Sequence, residues 1–402
     1  MEPLRIEQIV LIVTVGAIVA VVARRLRIPY TVGLVLAGIF ITLLPLQISV
    51  PFSKELVFEI LLPPLIFEAA LYINWRELRT DLVPIATFAT LGVVLSATAT
   101  ATVMHFVVGW VWEAAILFGV LIAATDPVSI IATFKEAGVK GRLRLLVEAE
   151  SLFNDSTAAV AFALALAFAT GEALGFGSSL WTLASSSGGG VVSGLLVGAA
   201  SLLIIGRTRD HLVELSMTTL GAFGSFWLAE HFNASGILAT TTAGLLVGNM
   251  SGPVPITEQG EQSIENFWEF AAFAANSIIF LILGINLAYQ DLASTAVPIL
   301  AAILAVIVGR AISVYPCSAL FFWSSRKINT GHQHILFWGG LRGALALALA
   351  LGIPENLPYR QAILTVTFGV VAFSVFVQAT TMTPLLRRLG EMPKKQPLEK
   401  TS

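Results

Sequence analysis

Glu150-Ser151-Leu152-Phe153-Asn154-Asp155-Ser156 runs into a stretch of Ala, Leu, Val and Phe that continues to Thr170, so two carboxylates stand inside a segment apolar enough to cross a bilayer. An ionised acid near the bilayer centre costs about 2.5–3.5 kcal/mol on insertion scales and by default marks an ion or proton path. This pair has company. Thr125-Asp126-Pro127 interrupts the preceding hydrophobic segment, Glu68 follows Leu61-Leu62-Pro63-Pro64-Leu65-Ile66-Phe67, and Arg310 and Arg342 interrupt later segments. Four acids therefore face two arginines at membrane depth.

Composition sets the class. Hydrophobic residues make up 56% of the 402 and charged ones 12%, against about 25% charged in an ordinary soluble domain. Mean hydropathy is +0.85. The expected fold is an all-α polytopic membrane protein. A net charge of -2 offers no basic excess for nucleic acid. The single cysteine, Cys317, excludes an internal disulfide and a cysteine-based metal site.

Apolar runs of bilayer length number about thirteen, near residues 4–23, 30–50, 52–72, 82–109, 111–134, 145–170, 182–205, 212–231, 234–250, 268–289, 293–323, 333–352 and 360–386. Arg24-Arg25-Leu26-Arg27 follows the first run, the reverse of a cleavable leader's charge layout, so that run is expected to stay in the membrane. With the N-terminus outside, eighteen of the 23 Lys and Arg fall in cytoplasmic connections or the tail, and only Arg5, Lys54 and Arg360 lie outside. That is a strong positive-inside bias. Trp75, Trp110, Trp112, Trp181, Trp268 and Trp323 fall near span ends, where interfacial aromatics belong.

Two spans read as broken. Proline removes a backbone donor and disfavours helix at the residue before it, so Asp126-Pro127 stops the fifth span. Gly339-Gly340-Leu341-Arg342-Gly343 loosens the twelfth. The two lie seven spans apart and therefore cross in opposite directions, as in an inverted repeat whose unwound helices meet near the midplane around an ion. In the motif helix, at about 100° per residue, Ser151 and Asp155 share one face and Glu150 and Asn154 a neighbouring one. Asp155 with Ser151 is expected to face the transport site, and Glu150 to turn to an arginine.

Four acids against two arginines leave two negative charges unmatched in a low dielectric, where unpaired ions are poorly tolerated. Protons or a metal cation fill that gap. A hard cation such as sodium suits oxygen ligands: the carboxylates of Asp155 and Glu68, the Ser151 hydroxyl, and carbonyls freed at Thr125 and Asp126. If cation and proton compete for one carboxylate, the protein exchanges them.

Thr125-Asp126-Pro127, the motif at 150–155, Gly309-Arg310-Ala311-Ile312-Ser313-Val314-Tyr315 and Gly339-Gly340-Leu341-Arg342-Gly343-Ala344, in this order, resemble the sodium/proton antiporters of the NhaP and Na+/H+-exchanger group. The resemblance spans nearly the whole chain. It implies an NhaA/NhaP-like fold with two crossing broken helices, a homodimer in the lipid bilayer, and an elevator-like cycle. Residues 1–81 and 171–289 would form a dimerisation domain, residues 82–170 and 290–386 an ion-binding core, and 387–402 a short cytoplasmic tail. Asp155 would be the exchanging carboxylate, Asp126 and Thr125 contributors from the unwound helix, Glu68 an acid near the ion, and Glu150 the partner of Arg310. Asn154 reads as a helix-orienting hydrogen bonder and Arg342 as a tie holding the broken helix together.

Electrogenic relatives carry Asp-Asp and a membrane lysine, whereas this chain has Asn154-Asp155 and every lysine falls outside the expected spans. Arg310 cannot carry a proton in the lysine's place, because guanidinium stays protonated. The resemblance thus implies one cation for one proton, no cofactor beyond the transported Na+ or Li+ and H+, and no enzymatic activity. The short tail favours a prokaryotic plasma membrane and argues against tail-binding regulators. Potassium/proton exchange is the main rival reading. A cation channel and an aspartyl protease using Asp126 and Asp155 are remoter. Glu258, Glu261, Glu265 and Glu269 recur at helical spacing, either as a solvated face or as a negative funnel that gathers cations.

Overall fold

The computed structural model describes residues 6–26, 28–43, 53–126, 128–171, 175–249 and 256–392. Pro127, Arg27, Arg5 and the tail lysines lie outside them. The described residues form helices: α1 (Ile6–Leu26), α2 (Tyr30–Thr42), α3 (Leu62–Leu71), α4 (Trp75–Thr87), α5 (Val93–Phe106), α6 (Trp112–Leu121), α7 (Val128–Ala137), α8 (Arg142–Ala169) and α9 (Phe176–Ile205). Next come α10 (His211–Thr219), α11 (Ser225–His231), α12 (Gly236–Asn249), α13 (Glu258–Ala288), α14 (Ala296–Ala319), α15 (Thr330–Trp338), α16 (Ala344–Leu351), α17 (Arg360–Phe373) and α18 (Thr380–Arg388). Wider π-helical turns at Phe88–Gly92, Leu220–Gly224 and Ser374–Ala379 join α4 to α5, α10 to α11 and α17 to α18 into continuous rods, and another at Leu56–Leu61 leads into α3.

Eleven of the thirteen expected spans correspond to one helix or one such run among the described residues, and the fifth and twelfth are each a pair of helices, α6 with α7 and α15 with α16. Seven runs among the described residues are long and apolar enough to cross a membrane, and the shorter α2, α6 and α12 are apolar as well. Two starts differ from the hydropathy reading. The fourth run begins at Trp75 rather than 82, because Asn74 caps it by accepting from the Arg76 N–H, and Asp81 is held in a bidentate pair with Arg142 on α8 at 2.7 and 2.9 Å. The tenth begins at Glu258 rather than 268, capped by Thr257, whose Oγ1 accepts from the Gly260 N–H at 3.0 Å.

That longer α13 carries Trp268 inward, away from the interface expected for it. The ring is fully buried against Phe67, 4.5 Å between centroids, and its Nε1 donates to Thr218 Oγ1 at 3.0 Å.

Helices sort into two packed groups. In one, α13 lies on α2, α3 and α10, while α12 lies on α9, α3 and α11. Backbones approach closely where α2 crosses α13: a Cβ on Gly38 would stand 2.9 Å from the Gly284 Cα. Apolar helices in lipid gain by such close approach, which small residues allow. In the other group, α5 lies on α6 and α14, α8 on α4 and α6, and α17 on α14 and α16. The groups touch where α8 meets α3, α9 and α12, where α16 meets the Leu56–Leu61 turn, and where α13 meets α17.

Candidate functional site

Both expected breaks are present, and they meet. The chain is non-helical at 124–126 between α6 and α7, and at 340–343 between α15 and α16. The Asp126 N–H donates to the Leu341 carbonyl at 2.8 Å. Unwinding strips carbonyls of their helical donors, and at membrane depth these must be satisfied within the protein. Arg342 does part of this: its Nη1 donates to the carbonyls of Ala123 and Ala124 at 2.9 and 3.0 Å, with the side chain 1% exposed. Gly343 lies where a Cβ would come within 2.5 Å of the Asp126 Cβ and Cγ, so only glycine lets the strands cross.

α8 presents its polar residues to this crossing. Glu150 and Arg310 form a buried bidentate pair at 2.8 and 3.0 Å, and Arg310 also donates to the Leu336 carbonyl at the end of α15. Asn154 links the pair to the break: its Nδ2 donates to Glu150 Oε1 at 3.0 Å and to Thr125 Oγ1 at 2.6 Å, while its Oδ1 accepts from the Thr125 N–H at 3.2 Å. Ser151 donates to the Thr125 carbonyl. That carbonyl therefore has one partner and keeps a second lone pair, and Ser151 reaches the site through Thr125, which lines the cavity beside the break.

The cavity, about 240 Å³, is lined by Thr125, Asp126 and Asp155 at its depth and by Glu68, Lys135 and Glu269 toward its mouth. Asp155 is buried, and its Oδ1 has no hydrogen-bond partner among the described residues. Beyond the crossing, Leu61, Leu65, Ile282, Ile285 and Ala344 belong to one buried apolar cluster, with α16 packed on the Leu56–Leu61 turn. Leu65 and Ala344 of this cluster also line the cavity.

Two features at the mouth escape sequence reading. Lys135, placed just beyond the fifth span by hydropathy, occupies the last turn of α7 and lines the same cavity as Asp155. Its Nζ lies 4.0 Å from Glu68 and 3.8 Å from Glu269, and its side chain is 46% exposed. A long apolar stem that reaches outward lets a lysine lie along such a wall, and run-counting cannot see that. Of the four-glutamate stripe, only Glu269 lines the cavity, whereas Glu261 and Glu265 border a separate recess of about 230 Å³. Glu148 is buried and paired with Arg144 at 2.5 Å.

The interior count changes accordingly. Glu68 faces a lysine, which leaves Asp126, Glu150 and Asp155 against Arg310 and Arg342: three acids to two guanidinium groups around the crossing. Among the described residues no three His, Cys, Asp or Glu gather closely enough to hold a metal ion. The arrangement suits weak, reversible binding of one small cation or one proton.

Similarity to known proteins covers the same span. The family described as sodium/hydrogen exchanger, transmembrane, matches residues 10–388. The Na+/H+ antiporter ApNhaP of Aphanothece halophytica is 36% identical over 391 residues, covering 96% of this chain and 75% of that protein. The low-affinity Na+/H+ antiporter NhaS1 of Synechocystis is 36% identical over 403 residues, covering 97% and 76%. Among solved structures, the sodium proton antiporter MjNhaP1 of Methanocaldococcus jannaschii superposes with a TM-score of 0.76 at 21% identity, over 96% of this chain and 98% of that one. At that identity the likeness speaks for the fold alone.

Proposed function

The chain belongs to the sodium/hydrogen exchanger family, and on that premise we propose that it exchanges Na+ or Li+ for H+ across a membrane, with Asp155 binding cation and proton in turn. The observation that carries this reading is the buried Asp155 carboxylate oxygen, without a hydrogen-bond partner among the described residues, in the wall of a cavity that also holds Thr125, Asp126 and Glu68. A carboxylate so placed gains by taking either a proton or a cation and cannot stably keep both. Asp126, across the Gly343 contact, and Thr125, held by Asn154 and Ser151, complete the inner end of the site. Glu68 belongs to its mouth.

One unmatched acid at the crossing supports one cation for one proton, with no net charge moved. The two helix groups support an elevator-type cycle, in which α4–α8 with α14–α18 carry Asp155 past α1–α3 and α9–α13. In this reading α4 travels with α8, on which it packs. The apolar runs require a membrane, and the distribution of basic residues supports a cytoplasmic position for Lys135, Arg142 and Arg326 with the N-terminus outside. The group formed by α1–α3 and α9–α13 is the expected face of a homodimer.

Purified protein in liposomes holding a pH dye tests this, with Na+, Li+ or K+ added while the membrane potential is clamped or free, beside Asp155→Asn. Proton efflux driven by Na+ or Li+, insensitive to potential and absent in the variant, is the expected result. Exchange driven by K+ alone would overturn the choice of cation, and full activity in Asp155→Asn would overturn the site.

A further inference from the structure

Asp155 is not the only polar group in the cavity wall without a partner. Asn276, on α13, lines the same cavity, is 8% exposed, and its Oδ1 has no hydrogen-bond partner among the described residues. Its polar neighbours on α13 are satisfied. Ser277 donates to the Phe273 carbonyl and contacts the Tyr30 hydroxyl, both at 2.6 Å, and Asn286 donates to the Ile282 carbonyl at 2.9 Å. A buried carboxamide left unpaired costs stability that an apolar residue of similar size would not, and carbonyl-type oxygens of this kind ligate hard cations.

Position makes this residue unlike the others. Asp155, Asp126 and Thr125 all belong to the group built around the crossed breaks, whereas α13 packs with α1, α2 and α3 in the other. We infer that Asn276 supplies a one-sided oxygen ligand: it takes the place of a hydration water on the cation at Asp155 while the cavity is open toward Lys135 and Glu269, and loses it when the Asp155 group moves away. This rests on the antiport reading above. The consequence is an asymmetry. Cation affinity and selectivity on the open face depend on Asn276, and those on the opposite face do not.

The test compares everted and right-side-out membrane vesicles bearing the full chain, with apparent KM for Na+, Li+ and K+ measured on each face for Asn276→Leu, Asn276→Ser and Asp155→Asn. Loss of one ligand of ordinary strength corresponds to about a three- to tenfold change. Asn276→Leu is expected to raise the Na+ KM by that factor on the face bearing Lys135 only, to change the Na+ to Li+ ratio there, and to leave Vmax in place. Asn276→Ser, which keeps an oxygen, should fall between. Unchanged KM on both faces, an equal rise on both, or a serine variant indistinguishable from leucine would overturn the inference, the last because wall volume rather than ligation would be responsible. If Asn276→Leu does not fold, Asn276→Ala takes its place against the serine variant. Persistent exchange in Asp155→Asn would instead overturn the antiport site itself.

Discussion

Glu150 and Asp155 lie five residues apart on α8, are both buried, and differ in what surrounds them. Glu150 is saturated by Arg310 and Asn154, so it anchors α8 to α14. Glu150→Gln leaves the Arg310 guanidinium buried without its anion, and breaking a buried pair in this way costs about 3–5 kcal/mol. The variant is expected to lose most of its thermal stability in detergent, and Arg310→Gln the same. Replacing both together with apolar residues should cost less than either alone, as a double-mutant cycle by thermal melting would register. If the single variants melt with the parent protein, the pair is dispensable and the rigidity of the α8 site has another source. Asp155 lacks such partners. Asp155→Asn removes a buried charge that no close ion pair holds among the described residues, so it should melt at or above the parent temperature while abolishing exchange.

At the scale of elements, the crossing of the two breaks depends on backbone proximity. Gly343→Ala would set a methyl group against the Asp126 side chain, forcing the carboxylate or the strand to move. Because displacement of a reacting group by about 1 Å can cost a hundredfold, exchange is expected to fall at least about tenfold with a much smaller change in melting temperature. Normal exchange in Gly343→Ala would mean that Asp126 has room to move and no fixed part in the site. Both breaks were readable, one from Asp126-Pro127 and one from three glycines in five residues, because each signal is local. The rods were readable from apolar runs for the same reason. The early starts of the fourth and tenth helices were not visible to hydropathy, since polar first turns lower it. Asn74 and Thr257 are ordinary N-cap residues, however, and capping rules alone would have moved both boundaries. Lys135 at the mouth and Asn276 in the wall had no such signal. Each becomes meaningful only when α3, α7, α8 and α13 are brought together, and no spacing along the chain encodes that.

Taken whole, the molecule is two helix groups bridged at the cavity mouth by a basic side chain on one and acidic ones on the other. Lys135 rides on α7, and Glu68 and Glu269 belong to α3 and α13. Such half-exposed pairs are worth about 0–1 kcal/mol each, too little to hold the groups together but enough to mark a face that must slide if the elevator reading is right. A covalent bridge at the same place would forbid that slide. Cys317 is buried, so a bis-methanethiosulfonate added to Lys135→Cys/Glu269→Cys, which forms a reducible disulfide with each thiolate and releases methanesulfinate, should react at the introduced pair. Bridged protein in liposomes is expected to retain protection of Asp155 by Na+, read as a cation-dependent rise in melting temperature, yet to lose at least about 90% of its exchange. Cleaving the reagent should restore the rate of the same variant before bridging. Undiminished exchange across the intact bridge would show that α7 need not move past α13. Asp155 would then have to reach the second face by local rearrangement at the crossing, where Asn154, Ser151 and Arg342 hold the unwound strand.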